Sequence, residues 1–432
     1  MTFYIHTYGC QMNVRDSEAV AEALVAAGHE LADDENEADL VIVNTCSVRA
    51  KAEEKALGKL GLLCASKRDW PRRIVGVMGC MAQRLGPSVF ERVPTLDFSV
   101  GCRAARLIPG VVADIEAGGE GQRWLTTEIS DHDVPHGHLN TDLSAFVTVL
   151  LGCNRRCSYC IIPTARGRSR SRTLEDLEAE LTQIKAAGYR EVVLVGINFC
   201  CYGPDIGKHF TDPIELACNM GFDRVRIGSL EFDNIGPEAI EKLASFPNFC
   251  PQFHISLQSG SDNTLRRMYR NYDTKAYKAL CDKLRETFPD GTITTDIMVG
   301  FPFETEEDFE DSMAFAKEIG FEKIHVFPYS PRTGTPAAEM QPQIAKAVKK
   351  ERCRRMIDVG DALRMDFLEA QTGREVEVLC ETFEDGFVTG YTMNYTPVRF
   401  PSDRDRHNEL ATVRITGAEK EQDACVGTLL SE

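Results

Sequence analysis

The stretch "GCNRRCSYC", residues 152–160, carries three cysteines, Cys153, Cys157 and Cys160, and no fourth follows nearby. Structural zinc wants four closed ligands, usually as two C-x2-C pairs. The next cysteines, Cys200 and Cys201, adjoin one another, and adjacent cysteines rarely both ligate one ion. A cubane iron–sulfur cluster has four irons held by thiolates. Three ligands leave one iron open, and an open iron can bind a substrate. Asn154, Arg155 and Arg156 make this a polar loop, which argues against three unrelated buried thiols.

The residues on either side set the fold. Strand candidates at 145–151, 192–197, 224–228, 253–257, 292–299 and 323–327 alternate with amphipathic helices such as 174–187. Thr305, with Asp308 three residues on, resembles a capping box at a helix start. Six βα units predict a partial or full (β/α) barrel. Cys153 directly follows its first strand, and barrel active sites sit at the C-terminal ends of strands.

Upstream, residues 2–8, 39–44, 73–79 and 95–100 read as short buried strands with helices at 16–27 and 48–63 between them. That alternation predicts a small parallel-sheet α/β domain. Cys10, Cys46, Cys80 and Cys102 each follow one of these strands, where open α/β sheets bind ligands. A second three-thiolate site is the natural expectation. Spacing alone leaves Cys80 and Cys102 as alternatives for its third member. "EAGGEGQ" and "DHDVPHGHLN" then break the pattern as a linker, and a charged helix at 346–371 leads into about 60 residues of short strands and turns. Those predict a small β-barrel.

Composition sets limits. A chain of 432 residues suggests roughly three domains. The N-terminus lacks a signal-peptide pattern and no apolar run approaches membrane length, so a cytoplasmic location without membrane contact is expected. Sixteen cysteines there point to metal or redox chemistry rather than disulfides. The net charge of −17 excludes a surface that grips nucleic acid everywhere. Any RNA contact must be local, and residues 155–172 supply six arginines and no acid. Arg166, Arg168, Arg170 and Arg172 are read as contacts for RNA or for the carboxylate of a bound cofactor. Arg266, Arg267 and Arg270 are read as a helix surface. Asn394 and Tyr395 in "GYTMNYTPV" are candidates to bond to or stack on an unpaired base.

Together these motifs resemble one family. "CNRRCSYC" has the spacing of radical S-adenosylmethionine (SAM) enzymes, and "YGCQMN", "NTCSVR" and "MGCMAQ" resemble the three cysteine motifs of methylthiotransferases. "LQSGS", "VGFPFET" and "YSPRTGTPA" resemble their radical SAM core, and the last 60 residues look like a TRAM RNA-binding barrel. The resemblance implies an enzyme of mixed α/β class. Residues 1–117 would form a flavodoxin-like cluster-binding domain, 118–140 a linker, 141–371 a radical SAM partial barrel and 372–432 the TRAM barrel. It implies two 4Fe–4S clusters, one on Cys153, Cys157 and Cys160 with SAM on its open iron, and one on Cys10, Cys46 and Cys80. It thereby selects Cys80 over Cys102. The loops with Ser229, Glu231, Gln258, Ser259 and Gly300 would shape the SAM pocket. Cys200 and Cys201 depart from the small residues expected there.

The implied reaction places a methylthio group on carbon 2 of an adenosine beside the tRNA anticodon. It needs a low-potential electron donor and a sulfur source. "GCQMN" and "SVRAKAEEK" look like the N6-isopentenyladenosine branch. "GRSRS", "HISLQSGSDNTLRRM", "FPYSPRTGTPAA" and "GYTMNYTPV" look like the N6-threonylcarbamoyladenosine branch, which is the expectation adopted here. A ribosomal-protein substrate and a non-enzymatic zinc- or cluster-bearing RNA-binding protein are the remoter readings.

Overall fold

In the computed structural model, described for residues 1–47, 50–119, 123–125, 143–232 and 234–431, a six-stranded parallel sheet and a partial barrel precede a closed barrel along the chain. The first sheet comprises β1 (Thr2–Tyr8), β2 (Glu30–Leu31), β3 (Leu40–Thr45), β4 (Ile74–Gly79), β5 (Phe98–Gly101) and β6 (Arg123–Leu125), in spatial order β2-β1-β3-β4-β5-β6. β3, "LVIVNT", is buried along its whole length, as a strand covered on both faces must be. Leu40 and Ile42 face a core with Phe3, Leu24 and Phe98. Val41 and Val43 face another with Leu60, Val75 and Val77. The flavodoxin-like order is that of a doubly wound domain.

β6 was not foreseen. It pairs in parallel with β5 inside the stretch expected to be a linker, so the sheet continues beyond residue 118. The His-rich part of that stretch, 131–140, lies outside the described residues.

The second sheet is a partial barrel. β7 (Ser144–Leu151), β9 (Glu191–Gly196) and β10 (Arg224–Ile227) pair in parallel, as do β11 (Gln252–His254), β12 (Thr292–Val299) and β13 (Lys323–Pro328). The bridge Leu230↔Ile255 joins the two halves. The short β8 (Arg170–Ser171) runs antiparallel beside β7. Among the described residues β7 and β13 are not paired, so the barrel is open there. The expected capping box is present. Thr305 Oγ1 accepts from Asp308 N at 3.0 Å, and Asp308 Oδ2 accepts from Thr305 N at 3.1 Å.

A 25-residue helix, Lys346–Ala370, packs along β13 and leads into β14 (Glu375–Glu384), β15 (Phe387–Thr392), β16 (Pro397–Pro401), β17 (Leu410–Glu419) and β18 (Ala424–Ser431), which close into a barrel. This barrel docks on the N-terminal ends of the partial-barrel strands. Arg224 donates to Tyr391 O at 2.6 Å, Asn394 Nδ2 to Asp290 O at 2.7 Å, and Thr292 Oγ1 to Asn394 O at 2.7 Å. Arg226 lies 3.7 Å from the centre of the Tyr395 ring, which stacks on Tyr391 at 4.2 Å. Asn394 and Tyr395 are therefore spent on holding the barrel in place. The expectation that they meet RNA is corrected, because their polar atoms and ring faces already have partners. Among the described residues no helix is long and apolar enough to cross a membrane.

Two outcomes follow from these contacts. Arg226 is buried and bonds at 3.0 Å to Glu191, itself buried at the start of β9. Arg226→Ala strands that carboxylate and should cost about 3–5 kcal/mol, read as a lower thermal unfolding midpoint of the apoprotein. The second concerns acid. Burial alone would raise the Asp308 carboxyl, but bonds from Ser261, Thr305 N and Asn263 and the charge of Arg267 bring it down to about 2. A depressed carboxyl stabilises fully above its unfolded value near 3.9 and loses that contribution as pH falls toward 2. Asp308→Asn should flatten this acid limb in unfolding curves taken below about pH 4.

Candidate functional site

At the edge of the first sheet, Tyr8 pairs with Thr45, Thr45 with Gly79, and Gly79 with Gly101. Cys46, Cys80 and Cys102 therefore leave neighbouring strands at one level, with Cys10 one residue further on. The motif residues around them brace the loops. Asn13 Nδ2 donates to Asn44 Oδ1 at 3.0 Å, and Asn44 Nδ2 donates to Asn13 O at 2.7 Å and Ser17 Oγ at 2.9 Å. Cys10 Sγ lies 3.5 Å from Asn13 Oδ1. Gly79 has φ +99°, and a Cβ there would sit 2.4 Å from Asn44 Oδ1, so "MGC" needs its glycine.

The thiols pair off within this edge. A hydrogen bond with Cys46 takes the Cys10 thiol down to about 6, against its burial and aided by the charge of Arg166. A hydrogen bond with Cys102 takes Cys80 down to about 7, again against burial and with Arg166 helping. Cys102, the other member of that pair, is pushed well up by the same bond and by burial.

Arg166 comes from the other domain. It ends the short helix Ile162–Arg166, which begins two residues after Cys160. Its Nε donates to Cys80 Sγ at 3.2 Å and its Nη2 to Asp16 Oδ2 at 2.5 Å. Cys102 Sγ lies 3.4 Å from Ala165 O, and Arg103 bonds to the carbonyls of Ala165 and Thr164. The reading of Arg166 as a contact for RNA or a cofactor carboxylate is corrected: it is 5% exposed, and its guanidinium is bonded to Cys80 and Asp16. Arg172 is corrected likewise. It is buried and pairs with Asp176 at 2.6 Å and with Glu180, which also accepts from Arg15 at 3.0 Å. Arg168 is exposed and Arg170 half-buried, so only they, with Arg155 and Arg156, remain on the surface of that basic run.

The three cysteines of the 152–160 loop sit at the C-terminal end of β7. Cys153 Sγ accepts from Arg155 N at 3.4 Å and faces Asn198 Nδ2 at 3.8 Å. Cys157 Sγ accepts from Arg270 Nη1 at 3.4 Å. Arg270 is buried, pairs with Glu231 and bonds to Ser256 O at 3.0 Å. It is therefore not the helix surface expected. The helix Asp262–Arg267 ends first, and the chain turns inward through Tyr269 at φ +59°. Ser158 ties the loop down through bonds to Met268 O and Arg267 O and from Ala337 N.

Burial raises the Cys153 thiol, and burial with repulsion from Cys157 and Cys153 raises Cys160 to about 12. Two thiols that resist ionisation beside a third cysteine suit a cationic centre, which drives protons off its sulfur ligands as it binds. Among the described residues no three His, Cys, Asp or Glu side chains are packed as for a single metal ion. Thiolates around a cubane stand further apart than those around one ion.

Of the expected pocket residues, Glu231 joins this site through Arg270, and Ser229 is exposed beside it. Gln258 is buried at φ +71°, and its Oε1 has no partner, nor has Asn198 Oδ1. Ser259 faces away, toward Ser312 Oγ at 3.2 Å. Gly300 has φ +71°, and a Cβ there would meet the Lys349 stem at 2.4 Å. Cys200 is a packing thiol that donates to Glu231 O at 3.1 Å, and burial raises it; burial also raises the half-buried Cys201. Sequence reasoning missed Asp16, Asn198 and the role of Arg270. Asn198 lay within "VGIN", but only folding brings it to Cys153.

Residues 2–101 match Uncharacterized protein family UPF0004, and residues 147–316 match the Radical SAM superfamily. The chain is 36% identical to a tRNA-2-methylthio-N(6)-dimethylallyladenosine synthase of Symbiobacterium thermophilum, over 96% of this chain and 92% of that one. It is also 36% identical to the protein of the same name from Carboxydothermus hydrogenoformans, over 96% of each. Among solved structures, a radical SAM methyltransferase, TsrM, from Kitasatospora setae shares the fold. The TM-score is 0.58 at 13% identity, over 90% of this chain and 77% of that chain.

The Arg270 contact has a measurable consequence. Arg270→Ala should lower SAM cleavage by about 10–100-fold, as loss of a group supporting a metal ligand does. Arg266→Ala, on the exposed face of the neighbouring helix, should leave it unchanged. Both are read by 5′-deoxyadenosine release from reconstituted protein.

Proposed function

The chain belongs to the methylthiotransferase family of radical SAM enzymes, and from that premise we propose that it places a methylthio group on carbon 2 of N6-dimethylallyladenosine (the isopentenyl nucleoside) in the anticodon loop of tRNA. The observation that carries the substrate is the name shared by the two relatives, which align over nearly the whole chain. It replaces the threonylcarbamoyl expectation. That expectation leaned in part on "GYTMNYTPV", whose Asn394 and Tyr395 are engaged in the barrel contact. "HISLQSGSDNTLRRM" and "FPYSPRTGTPAA" were a further support, yet Met268 and Ala337 serve to hold Ser158 and with it the cysteine loop. The N-terminal motifs point to the dimethylallyl branch.

When bound, SAM and two 4Fe–4S clusters supply hydrogen-atom abstraction from an unactivated aromatic carbon and the sulfur that replaces it. Cys153, Cys157 and Cys160 are the proposed ligands of one cluster, and Cys10, Cys46 and Cys80 of the other. The chain's own groups prepare these positions. Asn198 and Arg270 face the sulfurs of Cys153 and Cys157. Glu231 fixes Arg270 and keeps its charge aimed at the loop. Gln258 Oε1 and Asn198 Oδ1 are buried acceptors without partners, suited to an amino or hydroxyl donor of SAM. Ser229 is exposed at the same rim, Ser259 holds the loop against the helix behind it, and Gly300 lets that wall close on Lys349. A low-potential electron donor and a sulfur source are the further partners such chemistry requires.

Nucleoside mass spectrometry tests the proposal. The gene is expressed in a host that makes both precursor nucleosides but lacks its own methylthiotransferases. The methylthio group is expected on the dimethylallyl nucleoside alone. Its appearance on the threonylcarbamoyl nucleoside instead would overturn the substrate. Absence from both, with SAM cleavage intact, would move the activity to a protein substrate.

A further inference from the structure

The sheet edge presents four thiols, one more than a three-ligand cluster with an open iron requires. Cys102 is the additional one. It follows β5 at the same level as Cys46 and Cys80, and its backbone turns back through a bond from Ala104 N to Gly101 O at 2.9 Å. It is also held from the far side: Cys102 Sγ sits 3.4 Å from Ala165 O on the helix that carries Arg166. The next residue of that helix, Arg166, donates to Cys80 Sγ at 3.2 Å, so one helix end touches both sulfurs. A cysteine placed for packing alone would face the apolar layers of the sheet, as Cys64 does. Cys102 instead lies at the strand end beside the other cysteines, with its sulfur against Ala165 O.

We propose that Cys102 is a fourth, displaceable thiolate ligand of the N-terminal cluster, closing the iron left open by Cys10, Cys46 and Cys80 until a sulfur-bearing ligand takes its place. The inference rests on the cluster assignment under the proposed function. The exchange needs no oxidant. An incoming thiolate forms its bond to iron as the Cys102–iron bond breaks, and the freed Cys102 sulfur takes up one proton from water and becomes a thiol. Ala165 O then stands ready to accept that thiol's hydrogen bond, which is the arrangement seen here. Closing the iron in the resting enzyme would shield it from adventitious ligands, and the occupant it favours is a small soft thiolate or persulfide. Arg166 is then the positioning residue that keeps the edge thiols together from the partner domain.

The test uses the full chain with Cys153, Cys157 and Cys160 changed to alanine, so that reconstitution loads the N-terminal site alone. About four irons per chain show that the cluster assignment holds. Markedly fewer would fail that assignment before Cys102 is at issue. Methanethiolate is then titrated against the reduced protein and followed by the shift of its EPR signal. An iron that Cys102 occupies nine-tenths of the time binds the probe about tenfold more weakly than an open one. Cys102→Ala should therefore keep its iron and gain about tenfold in methanethiolate affinity, with Cys102→Ser, a poorer ligand of similar size, gaining most of that. Equal affinity in all three proteins overturns the proposal. Loss of the iron in both variants also overturns it, because Cys102 would then be an obligatory ligand rather than a displaceable one.

Discussion

One guanidinium holds the two halves of the site in register. Arg166 leaves the partial barrel just after the 152–160 loop, crosses to the first sheet, and bonds at once to Cys80 and Asp16. A buried arginine is costly unless its donors are met, and a charge-assisted bond to a carboxylate meets it best. Asp16 therefore does more than neutralise a charge. It sets where the helix Ile162–Arg166 can lie, and with it how far the two cysteine groups stand from one another. In the proposed reaction a radical made at one centre must find its target beside the other, which makes this separation a catalytic variable and not only a packing detail.

Around that contact the interface between the domains is unusually polar. Arg15 is fully buried and bonds to Glu18 and Glu180, Glu180 pairs with Arg172, and Arg332 bonds to Glu53 at 3.2 Å. Such pairs seldom add net stability over apolar packing, because desolvation consumes the attraction. They are directional, however, and tolerate no sliding. An apolar patch lies beside these pairs, where Met12 meets Val193 and Val195. Charge geometry thus helps to orient the domains.

Much of the architecture was legible from the residues. Strands such as 73–79 and 292–299 announce themselves by continuous apolar runs, and the cysteines that follow them mark the working edge. The polar residues were harder. The run from Arg155 to Arg172 looked like one basic face, because a sequence does not say which arginines will find a carboxylate from another segment. Arg166 met Asp16 and Arg172 met Glu180, and both left the surface. Arg270 misled in the opposite direction: helical spacing placed it with Arg266, but the helix stops and Tyr269 turns the chain inward. Asn394 and Tyr395 form a polar aromatic turn of a kind that suits a base, and here the same chemistry suits Arg226 and the carbonyl of Asp290. In each case the missing information was the identity of the long-range partner.

The barrel is fastened at the start of β12, and the cysteine groups lie toward its other end. β12 has eight residues, so the two ends are separated by about 23 Å. A ligand that engages both must be long and stiff over that span. A free nucleotide, or a flexible oligomer that loses entropy on being stretched, gains only one end of the molecule. A base-paired stem with its loop projecting beyond it has the reach and the rigidity. The distance between barrel and thiols therefore sets the least length of any ligand that could touch both.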